Sequence, residues 1–390
     1  MSGFNPTEKK AAFSIAILIA LRMYGLFLIM PVFSVYAKTL AGSTPFLTGL
    51  ALGIYGLTQA GLQIPLGLAS DFYGRKKILT IGLLIFIAGS VIAALSTSIY
   101  GVVVGRAIQG MGAIASTGMA LIADVSRPEQ RTKMMAIVGM SIGLAFMLAF
   151  ITAPPLYGLF GVSGLFWITA ILAVLALIQL HVFVSEPTKS IKKGFSFIEF
   201  CHTFKDMSLM SLNLSVFVLH AVMTAVFVVL PLILVEQLGF ALPQHWKMYL
   251  PVLLLSVVLF IPMIILHEKL KKYFLFISLA LFGLALSQLM LAWFNSSLLI
   301  IAAMLVLYFA FFNFLEAAMP AMLSRIAGTK YRGAAMGGYS TSQFLGAFVG
   351  ASIAGAMLQT SYVSVFYATA ILVLVSALIV MLVNIFLKNN

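Results

Sequence analysis

The chain has 390 residues, of which 62% are hydrophobic and only 8% charged, and its mean hydropathy is +1.13; soluble domains carry about 45–50% apolar and about 25% charged residues. A water-facing surface needs more polar groups than this, so soluble domains are excluded. The 23 Lys and Arg against 10 Asp and Glu give a formal charge of +13, which in a soluble chain would point to nucleic acid and here has first to be tested as membrane topology.

Apolar runs of about 20 residues are long enough to cross a bilayer. They fall at 11–37, 47–69, 78–96, 99–123, 134–158 and 164–185, and after a polar stretch at 209–235, 247–267, 274–294, 298–324, 334–358 and 363–387. The expected fold is an all-α membrane protein of twelve transmembrane helices in two six-helix halves, residues 1–186 and 209–390, joined by a basic linker at 187–208. The first run is about 27 residues long, contains Arg22 and lacks a small-residue cleavage pattern, so it is expected to stay as the first helix rather than leave as a signal peptide. In the linker, Lys189, Lys192 and Lys193 precede Phe197, Ile198, Cys201, Phe204 and Ser208 at one-sided spacing. This reads as a short amphipathic helix on the inner leaflet, its lysines meeting anionic headgroups, or as a solvated loop.

Twelve spans place both termini and every second loop on one side. Of the 23 cations, only Lys38 and Lys247 fall on the other side and only Arg22 and Arg106 within spans. The remaining nineteen share one side, which the positive-inside rule assigns to the cytoplasm. A faint internal repeat accompanies this division. A shift of 197 residues carries Ile64-Pro65 onto Ile261-Pro262, Asp71 onto Glu268 and Arg75 onto Lys272, and a shift of 201 carries Arg131 onto Arg332. Paired six-helix halves with a site at their interface are a transporter architecture.

The second span ends in Gly67-Leu68-Ala69-Ser70-Asp71-Phe72-Tyr73-Gly74-Arg75-Lys76-Lys77, and the fourth carries Arg106-Ala107-Ile108-Gln109-Gly110-Met111-Gly112. The first resembles the Asp-x-x-Gly-Arg-Lys loop of the major facilitator superfamily, in the matching loop, and the second its Arg-x-x-Gln-Gly segment. The stretches Leu21-Arg22-Met23, Gly53 to Ala60, His245-Trp246-Lys247 and Tyr339 to Gly346 resemble a bacterial subgroup of drug:proton antiporters within it, the YajR subgroup. Members of that subgroup carry a small cytosolic domain after the last helix, whereas this sequence ends at Asn390, so regulation by such a domain is not expected. The antiporter signature of the fifth helix, a Gly-Pro followed by paired glycines, is present only as Ala153-Pro154-Pro155-Leu156-Tyr157-Gly158.

In the superfamily fold the second helix abuts the eleventh, which begins here near Arg332-Gly333-Ala334-Ala335-Met336-Gly337-Gly338. Asp71 would then accept from the free N–H groups of that helix start, and Arg75 would reach Asp124. Gly67, Asp71, Gly74, Arg75 and Asp124 together would form a latch that opens as the halves rock. Alternatively, Asp71 only caps helix ends and Arg75 only fixes topology.

Four ionisable residues lie inside the spans: Arg22, Arg106, His220 and Glu316. A charge at the bilayer centre costs about 2.5–3.5 kcal/mol on insertion scales, so such groups face a cavity or a partner. The resemblance implies that their spans, the first, fourth, seventh and tenth, line a central cavity. Glu316, with Asn313 one turn earlier, is the candidate proton carrier, because desolvation raises a carboxyl pKa and a nearby cation lowers it. The other reading is a fixed Glu316–arginine ion pair. His220, seven residues after Asn213, is a second proton candidate or a neutral packed histidine. Arg22, Arg106 and Gln109, with Gln59 and Gln63 on the second span and Gln343 on the eleventh, are candidate substrate contacts or interhelical hydrogen-bonding groups.

No Gly-Lys-Ser/Thr phosphate loop, metal cluster or catalytic constellation is found. The expectation is a proton-coupled secondary transporter of the bacterial inner membrane, not an enzyme and without a cofactor. It would act as a monomer that exports small amphipathic or cationic compounds by antiport. Proton-linked movement of an organic anion, and a non-transporting membrane sensor on the same fold, are the alternatives. The cations are spread over seven segments, which speaks against nucleic acid as a partner.

Overall fold

The computed structural model describes residues 4–127, 129–184 and 205–389; the predicted amphipathic helix of the linker lies outside them except at its last residues. The chain divides into two compact units, Met1–Ser43 with Leu57–Gly194, and Thr44–Gly56 with Phe195–Asn390. Both are helical. The described residues contain no strand, only an isolated bridge between Ala41 and Ser98.

In the first unit, α1 (Pro6–Leu28) starts with a capping box in which Asn5 accepts from the Glu8 N–H and Glu8 accepts from the Asn5 N–H. The predicted first run does not continue unbroken to residue 37. It ends at Leu28, three residues before Pro31, which has no N–H to give, and resumes as α2 (Phe33–Ala37). Then come α3 (Pro45–Tyr73), whose first residues belong to the second unit, and α4 (Arg75–Leu95). The run at 99–123 is also two helices, α5 (Ile99–Met111) and α6 (Ala115–Val125), parted at Gly112. The fifth and sixth runs form one helical stretch, α7 (Arg131–Phe183), interrupted at Gly161 with φ 63 and ψ −177, a conformation open to glycine and closed to residues with a Cβ. Along α1, the Tyr24 and Thr152 hydroxyls meet at 2.7 Å, and Thr169 donates to the Gly25 carbonyl at 2.9 Å.

The second unit holds α8 (Met207–Leu232), α9 (Trp246–Leu270), α10 (Tyr273–Trp293), α11 (Leu298–Ile326), α12 (Gly328–Met357) and α13 (Tyr362–Asn389). Asp206 caps α8 by accepting from the Ser208 and Leu209 N–H groups. Apolar on all sides, α8 is almost wholly buried, as a helix of that pattern must be. Its closest neighbour is α12, where a Cβ on Gly346 or Gly350 would collide with the backbone of Phe217 or Ala221. Small residues let membrane helices approach this closely, and close packing substitutes for the hydrophobic drive that lipid removes. Gly49, Gly53 and Gly56 on the first turns of α3 meet the backbone of α12 in the same way.

Among the described residues, nine helices are long and apolar enough to cross a membrane. Gly350→Leu is expected to destabilise the protein by about 1–3 kcal/mol through overpacking, whereas Gly139→Ala, which meets nothing within 4 Å, should not. Thermal unfolding of the purified protein in detergent distinguishes the two.

Candidate transport site

The first unit gathers its polar side chains around two guanidiniums. Arg22 on α1 is 3% exposed. It donates to the Gln59 Oε1 of α3 and to the Gly112 carbonyl, each at 3.2 Å, with its guanidinium 5.2 Å from the Phe86 ring centre. The Gly112 carbonyl is available because the helix breaks there. Arg106 on α5, 4% exposed, donates to the Gln109 Oε1 one turn away, and Gln109 donates to the Ser90 hydroxyl of α4 at 2.7 Å. Gln63 lies one turn from Gln59, and its carbonyl accepts from Ser116 at 2.7 Å. The Gln59 Nε2 and Gln63 Oε1 atoms are buried without a hydrogen-bond partner among the described residues.

At the end of α3 the signature loop is built around Arg75, 6% exposed. Its Nε donates to the Asp124 Oδ2 at 2.8 Å, its Nη1 to the Ser70 hydroxyl and its Nη2 pairs with Asp71. Gly74, at φ 97, makes the turn that brings Arg75 back over the end of α3, and Gly67 allows Ser116 of α6 to lie against it. Arg75 therefore ties three helices of one unit together. The start of α12, where Asp71 was expected to find a second partner, belongs to the other unit.

The second unit holds the remaining ionisable pair. His220 on α8 and Glu316 on α11 approach to 3.5 Å between Nε2 and Oε1, too far for a hydrogen bond. Gln343 of α12 places its Nε2 2.7 Å from the same ring nitrogen. The other ring nitrogen, Nδ1, faces the Val216 carbonyl at 3.2 Å, which can only accept. A proton on Nδ1 leaves Nε2 as a lone pair, to which the Gln343 amide donates. With that lone pair taken by Gln343, the Glu316 Oε1 atom is buried without a hydrogen-bond partner among the described residues. Phe312 packs beside His220 with ring centres 6.1 Å apart, and 34% of the Glu316 side chain remains uncovered by protein. Asn313, one turn from Glu316, turns to α9 and donates to Ser256 at 3.3 Å. Asn213 is buried on the His220 face of α8, and its Oδ1 has no partner among the described residues.

Three features escaped the sequence reading. Arg127 donates to Glu8 through its Nε at 2.9 Å and its Nη2 at 2.8 Å, fastening the start of α1 to the loop before α7. Arg325 at the end of α11 donates to both oxygens of Glu268 at the end of α9. The hydroxyls of Tyr308 and Tyr339 are buried without a partner among the described residues. The pairs join positions far apart in the chain, and only a count of opposite charges at helix ends could have suggested them.

Long apolar helices in two units, a signature loop organised by a buried arginine and ionisable residues inside the apolar helices define a membrane transporter. The sequence model of the Major Facilitator Superfamily matches residues 15–273 and 212–387, and the chain belongs to this family. It is 39% identical to the inner membrane transport protein YajR of Escherichia coli (strain K12), over 90% of this chain and 78% of that protein. It is 29% identical to the quinolone resistance protein NorA of Staphylococcus aureus (strain MRSA252), over 85% of this chain and 86% of that one. The crystal structure of a bacterial homolog to the human lysosomal transporter Spinster, inward-facing and occupied, superposes with a TM-score of 0.77 over 97% of each chain at 16% identity, which shows the shared fold.

Arg75→Ala leaves Asp71 and Asp124 without their cation. Breaking a buried pair costs about 3–5 kcal/mol, and the lower end is expected here. The double variant Arg75→Ala/Asp124→Ala should lose less than the two single losses together, since it removes one of the two stranded charges as well. Denaturant or thermal unfolding of the four proteins measures the difference.

Proposed function

We propose that the protein is a proton-coupled antiporter of the bacterial inner membrane that exports small amphipathic or cationic compounds by alternating access. The observation that carries this reading is the Glu316–His220–Gln343 cluster, where three long helices bring a carboxyl, an imidazole and an amide together. Family membership supports transport, and the names carried by the two relatives support the location and the substrate class. Glu316 carries the coupled proton, His220 receives it and Gln343 holds the ring. A cationic substrate near Glu316 favours loss of its proton, which couples the two movements. In the first unit Gln59 and Gln63, and in the second Asn213, whose buried polar atoms lack partners among the described residues, offer substrate contacts, as do Arg22, Arg106, Gln109 and Asn313.

Twelve crossings accompany this reading. Counting the run broken at Gly161 as two and adding α3 and α12, which are as long but diluted by Gly, Gln, Ser and Thr, brings the nine apolar helices to that number. Both termini are then cytoplasmic by the charge asymmetry. The Gly67, Asp71, Gly74, Arg75 and Asp124 cluster acts as the conformational latch, and the protein works as a monomer.

A second reading, proton-linked transport of an organic anion, is favoured by the two buried guanidiniums Arg22 and Arg106. Proteoliposomes separate the two. As substrate leaves the vesicle, antiport carries protons in and acidifies the lumen, whereas co-movement with an anion alkalinises it. Glu316→Gln should abolish the substrate-driven pH change and leave substrate–substrate exchange in place. A variant that still moves protons would refute the role of Glu316.

A further inference from the structure

The seam between α9 and α10 has no part in the reading above. The two helices follow one another through the turn at Lys271 and Lys272, and each packs along α11, yet they barely touch each other. The gap between them is a cavity of about 290 Å³. Pro262, Met263 and Leu266 of α9 form one wall, Phe276, Leu279 and Ala280 of α10 the other, and Phe311 of α11 the floor. Phe311 lies so close over Gly283 of α10 that any side chain there would displace its ring. The volume sits at the lower limit for small-ligand pockets, enough for a chain and too little for a bulky polycyclic molecule. The lining is apolar throughout, and Leu266 and Leu279 are exposed on the outer surface of the unit.

The groove runs toward a cluster of cations. On α9 the stripe of Pro262 and Leu266 continues after one turn as Lys269, and on α10 the stripe of Leu279 and Phe276 leads back one turn to Lys272. Lys271 stands between them in the left-handed conformation, φ 54, that ends α9. All three lysines are exposed. The only carboxylate of this segment, Glu268, gives both oxygens to Arg325, whose guanidinium lies 4.6 Å from the Tyr273 ring centre. Among the described ion pairs, none uses Lys269, Lys271 or Lys272.

We propose that this groove binds one anionic phospholipid of the leaflet on its side of the membrane, with part of an acyl chain between α9 and α10 and the phosphate on Lys269, Lys271 and Lys272. Charge complementarity selects this occupant. A zwitterionic lipid offers the same chain but no net charge, while three lysines at a membrane surface favour an anionic headgroup strongly. The lysines belong to the majority set of nineteen, so the lipid comes from the leaflet that this set faces. The site lies within the second unit and is independent of the coupled ion and of the transported compound.

Native mass spectrometry of the full chain, titrated with phosphatidylglycerol and with phosphatidylcholine of equal chain length, tests the site. The wild type is expected to bind phosphatidylglycerol about tenfold more tightly or better. Lys269→Gln/Lys271→Gln/Lys272→Gln should bring that preference close to unity. Leu279→Trp, which fills the groove on the lipid-facing side and keeps every charge, should weaken binding of both lipids. These are surface positions, and an unchanged thermal midpoint verifies that each variant is folded. Equal binding of the two lipids by the wild type overturns the proposal, as does a phosphatidylglycerol preference that survives the lysine replacements. So does a dimer that crosslinks through Leu279→Cys, which would assign the groove to a second copy of the chain.

Discussion

A polar group in hydrocarbon has no water to turn to, and the interior of each unit is organised by that constraint. Arg22 could not remain on α1 without partners. It is met by the Gln59 side chain and by the Gly112 carbonyl, which a continuous helix would have kept for its own ladder. The break between α5 and α6 and the arginine on α1 thus satisfy one another. The same accounting holds for Arg106, whose partner Gln109 is passed on to Ser90, and Ser90 in turn donates to the Phe86 carbonyl. In the second unit the rule yields something less settled. Gln343 takes the His220 ring nitrogen at 2.7 Å while Glu316 stands 3.5 Å from it, its Oε1 atom buried without a hydrogen-bond partner among the described residues.

Close packing supplies the rigidity around these groups. Where soluble helices gain from removing apolar surface from water, membrane helices gain from contact and from hydrogen bonds shielded by small residues. Gly346 and Gly350 bring α12 against the backbone of α8, and Thr224 of α8 donates across that contact to the Ala347 carbonyl at 2.9 Å. Gln343 is one turn before Gly346 on the same helix, so its reach to His220 is set by this packing.

The two units share a device with opposite polarity. In the first, a cation at the start of α4 pairs with Asp124 at the end of α6. In the second, an anion at the end of α9 pairs with Arg325 at the end of α11. The shift of 201 residues that carries Arg131 onto Arg332 also carries Asp124 onto Arg325, and the shift of 197 carries Asp71 onto Glu268. An ion pair ties two helix ends equally well with either sign, so the bridge persists although the charges are exchanged. Its energetic weight differs. Arg75 is 6% exposed and Arg325 45%, and an exposed pair is worth at most about 1 kcal/mol.

The sequence alone determined what depends on local composition and spacing: a membrane-embedded helical chain, the family signature between α3 and α4, and the four ionisable residues at membrane depth. These are legible because hydrocarbon tolerates few exceptions, so every charge inside an apolar run announces itself. Helix breaks were less legible, since a run broken before Pro31 or at Gly112 has the same hydropathy as an unbroken one. The tertiary structure decided the partners: Arg22 with Gln59 and the Gly112 carbonyl, Gln343 with His220, Asn313 with Ser256, Glu8 with Arg127. Partner choice depends on which helix faces meet and how closely small residues let them approach, and those distances arise only when segments far apart in the chain pack together.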